Sequence, residues 1–90
     1  MSAIREIASV LARIGDATLV EDYLVSILTP RELREVARRW ELVKLLDRGV
    51  SQRTVSKRLG MSLCKITRGS RELKKRNSAF KRVIHTYLES

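Results

Sequence analysis

The side chains able to do chemistry in this chain are mostly cations, and they crowd into one stretch, SQRTVSKRLGMSLCKITRGSREL, from Ser51 to Leu73. Gln52, Arg53, Lys57, Arg58, Lys65, Arg68 and Arg71 lie in or beside it. Ammonium and guanidinium groups pair with phosphate, while amide and hydroxyl side chains reach base edges, so the stretch is equipped for nucleic acid. Its spacing predicts two short helices. Ser51 caps the first, which carries the apolar pair Val55 and Leu59, and Gly60 leaves it in the left-handed conformation that glycine adopts cheaply. Ser62 caps the second, whose Leu63, Ile66, Ser70 and Leu73 share a side. Residue 56, which must let the second helix approach, is a small serine. Two helices meeting through a three-residue turn (Gly60-Met61-Ser62), the second with a basic face, describe a helix-turn-helix DNA reader. An ordinary helical hairpin has the same spacing; residue content and the placement of charge decide for DNA.

Catalytic groups are missing from the pattern. Cys64 has no evident partner histidine, the acids mostly alternate with bases on helix faces, and no glycine-rich loop exists. The lone His85 has no second ligand at metal-binding spacing and reads as a solvated histidine. Cys64 beside Lys65 near a helix N-terminus has the setting of a reactive thiolate, which leaves a redox sensor open beside a plain surface residue close to DNA. The expectation is a protein that is not an enzyme and uses no metal.

Ninety residues make a single domain, 1–90, with a modest core. Aliphatics and helix formers dominate, Pro30 is the only proline, and no strand-like alternation persists, so the class is all-α. One cysteine excludes an internal disulfide, and no signal peptide or long apolar run is present, so a cytoplasmic location is expected. The formal charge is +9, and residues 1–48 contribute none of it, with eight Lys/Arg against eight Asp/Glu. Residues 49–90 hold eleven Lys/Arg against Glu72 and Glu89. A one-sided positive field in the half containing the reader suits a polyanion. A basic adaptor for a membrane or an acidic protein is the different-class alternative, but the basic segment lacks the large apolar face that a membrane helix needs.

The elements that must position the reader follow from apolar spacing. Ile4, Ile7, Leu11 and Ile14 predict an amphipathic helix over 3–14, ended by Gly15 and Asp16. Ala17 to Leu28 is apolar over an arc too wide for one neighbour, which predicts burial against a second subunit and makes residues 1–28 dimerisation helices. Thr29-Pro30-Arg31-Glu32 is a capping box with proline in the first helical position, opening a long central helix over 29–48. Its main stripe is Leu33, Val36, Ala37, Trp40 and Val43, with Leu42, Leu45 and Leu46 off that stripe, so it is covered on several sides. Trp40 reads as core. After the reader, Ser78 caps a closing helix over 78–89 with Phe80, Val83, Ile84, Tyr87 and Leu88 on one face.

From Leu28 to about Lys75 the chain resembles the tryptophan repressor family. The matching pieces are Leu28-Thr29-Pro30, Arg39, Ser51-Gln52-Arg53 and the run Ile66-Thr67-Arg68-Gly69-Ser70. The resemblance implies a six-helix subunit in an intertwined homodimer, with L-tryptophan as a corepressor between the central helix and the reader. It implies that Arg39 and Arg68 sandwich the indole, Arg68 also holding the carboxylate. Thr29 of the other subunit would add to the carboxylate site, carbonyls near Ser26 and Leu28 would receive the ammonium, and Gly69 and Glu72 would border the ligand. Thr29 and Arg39 are ten residues apart on one helix, about 15 Å along its axis, which favours a pocket shared between subunits. Read from the residues alone, Thr29 is a cap, Arg39 a charge at the dimer seam and Arg68 a phosphate contact. The chain departs from the family in carrying Glu72 where a serine is usual, bulkier Arg38 and Trp40 beside Arg39, and a shorter loop before Ser51.

The expected function is a sequence-specific transcriptional repressor that binds a palindromic double-stranded DNA operator as a homodimer, activated by L-tryptophan. Leu63, Cys64, Lys65 and Thr67 would approach the bases, with Gln52, Arg53, Ser56 and Lys57 from the preceding helix beside them or on the backbone. A ligand-independent helix-turn-helix regulator and the DNA-end-binding module of a transposase are the neighbouring alternatives.

Overall fold

Local capping chemistry sets most of the helix starts in the computed structural model, which describes residues 2–89. Six helices follow in order: α1 Ser2–Arg13, α2 Ala17–Ile27, α3 Pro30–Asp47, α4 Gln52–Leu59, α5 Leu63–Lys74 and α6 Ala79–Glu89. Among the described residues there is no strand. Asp16 accepts hydrogen bonds from the N–H groups of Thr18 (3.0 Å) and Leu19 (3.4 Å), and so starts α2. Thr29 and Glu32 form the reciprocal capping box of α3, with Thr29 N–H to Glu32 Oε1 at 2.9 Å and Glu32 N–H to Thr29 Oγ1 at 3.1 Å. The Thr29 N–H, and secondarily its hydroxyl, hold the Glu32 carboxyl below its ordinary range.

The chain forms two compact units, residues 1–34 and 35–90, and α3 runs through the boundary. In the first unit neither α1 nor α2 buries a residue, although both are rich in aliphatic side chains. Ile4, Val10, Leu19, Val25 and Ile27 stand about half exposed. An apolar hollow of about 320 Å³ lies between them, lined by Ile7, Val10, Leu11, Ile14, Leu19 and Tyr23.

The second unit has a small, well-defined core: Leu42 of α3, Val55 of α4, Met61 of the turn and Ile66 of α5, flanked by Leu45, Leu46, Val50 and Leu59. The side of α3 that packs here is therefore the Leu42–Leu46 side. Val36, placed on the main stripe by the sequence pattern, is half exposed, because α4 and α5 occupy the neighbouring face. Trp40 is partly buried and meets Tyr87 of α6 edge-to-face, with centroids 5.4 Å apart. Lys44 lies over the same Tyr87 ring, and His85 Nε2 is 3.9 Å from Asp47 Oδ1. Ser78 Oγ accepts from the N–H of Lys81 at 3.2 Å, and Ile84 is the residue that anchors α6 inward.

Candidate nucleic-acid interface and adjoining cleft

The reader is built from two caps and one left-handed turn. Ser51 Oγ accepts from Thr54 N–H, and Ser62 Oγ accepts from Lys65 N–H. Gly60 ends α4 at φ 62 and ψ 34, a conformation costing an L side chain roughly 1–2 kcal/mol. Ile66 and Gly69 turn α5 inward, which leaves Leu63, Cys64, Lys65, Arg68 and Arg71 exposed on its outer side. Leu63, expected on the inward side, is half exposed because it opens the helix beyond the reach of the core. Arg53 and Lys57 are exposed on α4, and Lys74, Lys75 and Arg76 continue the positive surface beyond α5.

Three of the expected DNA-facing residues also hold the reader together. Ser56 Oγ donates to the carbonyl of Met61 at 2.7 Å, satisfying a buried turn oxygen. Thr67 Oγ1 donates to Gln52 Oε1 at 3.1 Å, clasping α5 to α4. Each of the three is partly buried. Their polar groups therefore fix the angle between the helices, while Arg53, Lys57, Cys64 and Lys65 present free surface outward.

Gly69 decides how closely α5 can lie on α3. A Cβ there would stand 3.0 Å from Leu42 Cδ2, so only glycine fits without displacing a buried leucine. Beside this contact is a cleft of about 230 Å³ lined by Arg39, Leu42, Met61, Lys65, Arg68, Gly69, Glu72 and Phe80. That size suits a molecule on the scale of an amino acid, since drug-sized ligands occupy roughly 300 Å³ or more. Three cations and one carboxylate rim it, over apolar Leu42, Met61 and Phe80. The set matches an anionic group and a cationic group on an apolar body. The cleft gathers Arg39, Arg68, Gly69 and Glu72 of the expected ligand set; Ser26, Leu28 and Thr29 belong to the other compact unit and do not line it. Arg39 Nη2 is 3.9 Å from Glu35, and Glu72 accepts from Lys75 Nζ at 2.8 Å. Ser26 Oγ donates to the Asp22 carbonyl. Among the described residues no group of His, Cys, Asp or Glu side chains is arranged to hold a metal ion.

Sequence reasoning missed Phe80, Met61 and Lys65 as walls of the cleft, and missed Arg38 altogether as a partner of the reader. Arg38 Nη2 donates to the carbonyls of Leu59 and, at 3.2 Å, Gly60. The signal was present in principle: the last carbonyls of α4 need donors, and an arginine on α3 is long enough to supply them.

A family profile described as Trp repressor protein matches residues 2–88. A Trp operon repressor homolog from Vibrio campbellii is 37% identical over 70 residues, covering 77% of this chain and 70% of that protein. A second, from Vibrio parahaemolyticus, is 33% identical over 86 residues, covering 94% of this chain and 84% of its own length. No solved structure matches.

Proposed function

The chain belongs to the Trp repressor family, and from that premise we propose that it is a DNA-binding transcriptional repressor with L-tryptophan as its corepressor. The observation carrying this reading is the single cleft that joins Arg39 of α3 to Arg68, Gly69 and Glu72 of α5, on the very helix that exposes Cys64 and Lys65. Arg39 and Arg68 supply planar guanidinium groups able to stack on an indole, and Arg68 or Lys65 can hold its carboxylate. Glu72 offers the ammonium a charged partner in place of the family's usual serine hydroxyl. The apolar body rests on Leu42, Met61 and Phe80. Occupancy of this cleft sets the spacing of α5 from α3, and by linkage operator DNA tightens ligand binding by the factor that the ligand tightens DNA binding.

Dimerisation completes the reading. The half-exposed aliphatic side chains of α1 and α2 would each contribute about 1 kcal/mol, roughly half the value for burial from full exposure, when a partner covers them. The second unit offers a matching apolar groove of about 340 Å³ between α3 and α6, lined by Val36, Trp40, Val43, Phe80, Val83 and Ile84. Two such subunits place two readers on one face of a palindrome, at the spacing of about 34–36 Å established for helix-turn-helix dimers, the Trp repressor among them. Ser26, Leu28 and Thr29 would then reach the cleft from the partner. Exposed Arg53, Lys57, Leu63, Cys64 and Lys65 would meet DNA, and the 74–76 cluster would raise affinity through the phosphates. No described helix is long and apolar enough to cross a membrane.

The test is anisotropy of labelled palindromic duplexes, selected from a randomised library, titrated with protein with and without L-tryptophan, together with Arg68→Ala and calorimetry of tryptophan binding. Tighter DNA binding with tryptophan, lost in Arg68→Ala, supports the reading. Absence of tryptophan binding by calorimetry removes the corepressor and leaves a ligand-independent regulator.

A further inference from the structure

The structure connects α3 to the reader by a second route that needs no ligand. A helix C-terminus leaves carbonyls without intrahelical partners and carries partial negative charge. At the end of α4 one of these, the carbonyl of Leu59, and the carbonyl of the following Gly60 both accept from Nη2 of Arg38. Arg38 is the residue before Arg39, so the bond to the turn and the wall of the ligand cleft leave α3 at the same level. The guanidinium is always charged and holds its donors in a rigid plane, which makes it suited to bridging two adjacent carbonyls. Gly60 has room for it: Nη2 is 3.9 Å from the place a Cβ would occupy, so the approach is close without a clash.

We propose that Arg38 is a positioning residue that orders the α4–α5 turn against α3 in the absence of ligand, and so sets how strongly tryptophan can stimulate DNA binding. This deepens, and rests on, the corepressor reading above. A ligand can shift a two-state element only by its differential affinity for the two states, and a state already populated leaves it less to gain. In this chain the arginine has done part of that shift beforehand. The consequence is a repressor with appreciable DNA affinity when free of tryptophan and a muted response to it.

The experiment compares wild type with Arg38→Met, which keeps the length and packing of the side chain without its donors, and with Arg38→Lys. DNA affinity is measured by anisotropy on the same palindromic duplex with and without saturating L-tryptophan. Amide hydrogen exchange is followed in protein alone. These bonds are exposed, and one typical net hydrogen bond corresponds to about a fivefold change in such an equilibrium. The expected result is a loss of about that size in ligand-free Arg38→Met, a change of less than about twofold with tryptophan bound, and a correspondingly larger stimulation ratio. Arg38→Lys should fall between, since a single ammonium bridges both carbonyls poorly. Amides from Gly60 to Ile66 should exchange faster in Arg38→Met, with the α6 amides unchanged. Equal losses with and without ligand, accompanied by a shallower salt dependence, would mean that Arg38 contacts DNA and would overturn the proposal. So would unchanged exchange at the turn. The exchange measurement contains neither DNA nor tryptophan, so failure of the corepressor reading would show in calorimetry and leave this arm to stand or fall alone.

Discussion

Replacing Gly69 by alanine sets two known quantities against each other. An alanine in a helix interior is favoured over glycine by about 0.8–1.0 kcal/mol. The new Cβ, however, would lie 3.0 Å from Leu42 Cδ2, 3.5 Å from Leu42 Cγ and 3.8 Å from Leu46 Cδ1. Carbon pairs rest at about 3.5–4.0 Å, so Leu42 must give way by a few tenths of an ångström. Leu42 cannot swing away, because it is 3% exposed and its other neighbours are Val55, Met61 and Ile66. Overpacking of this kind costs about 1–3 kcal/mol. The net expectation for Gly69→Ala is a destabilisation of about 1 kcal/mol, or about 4–8 °C in a domain of this size. The assay is thermal unfolding followed by circular dichroism at one fixed chain concentration, since a dimer's melting point depends on it. The decisive background is Leu42→Ala, which loses stability itself but removes the obstructing atoms. There Gly69→Ala should be stabilising, because the helix gain remains and the methyl group enters a void. Tryptophan affinity in the single variant should drop, since α5 must move off α3 between Arg39 and Arg68. A higher melting temperature for Gly69→Ala alone, or additive effects in the double variant, would refute the claim that Gly69 sets the helix spacing.

Three further outcomes follow from individual contacts. The Glu32 carboxyl is held low by Thr29, so its contribution to stability is present above the ordinary glutamate range and is lost as pH falls through the depressed value. Acid melts from pH 6 to 3 should therefore decline more steeply in wild type than in Glu32→Gln, and parallel curves would dissociate the capping box from acid sensitivity. Gly60→Ala meets open space apart from Arg38 Nη2 at 3.9 Å, so its cost is the left-handed backbone alone, about 1–2 kcal/mol, with Gly60→Asn recovering part of it in denaturant titrations. Ser56→Ala strands the Met61 carbonyl and should lower stability by about 1–3 kcal/mol while leaving the salt dependence of DNA binding unchanged; a shallower salt slope would make Ser56 a phosphate contact instead.

What could be read in advance was local. The caps at Asp16, Thr29, Ser51, Ser62 and Ser78 each depend on residues two or three positions away, so the sequence displays both partners side by side. Gly60 was legible for the same reason: a turn of this length demands a positive φ. The contacts that give the reader its angle span longer separations. Thr67 with Gln52, and Arg38 with Leu59 and Gly60, involve residues 15 to 22 positions apart, and no periodicity marks an arginine as a carbonyl donor. Phe80 was legible as apolar but not as a cleft wall, because its helix is joined to the rest through Ile84, and Phe80 is left at the rim. Asn77, between α5 and α6, adopts φ 58, a conformation that asparagine tolerates better than most residues and that no apolar spacing announces.

The division of faces on α5 implies that, in the proposed function, DNA reading and ligand sensing are not separable. Ile66 and Gly69 give the helix its inward face, so neither position is free for recognition. Arg68 and Glu72, one turn apart, border the ligand cleft and also line the hollow on the outer side with Leu63, Cys64, Thr67 and Arg71. Lys65 belongs to the cleft and to the exposed first turn. Three contacts hold α5 in place: Ile66 in the core, Gly69 against Leu42, and the Gln52–Thr67 clasp. Charge pairing inside the cleft would therefore involve Lys65 directly and bear on Cys64, its neighbour in the exposed first turn of the same helix. On the proposed function, a substitution at Arg68 or Lys65 should alter both activities together, whereas one at Arg38 or Gly69 should alter the coupling between them.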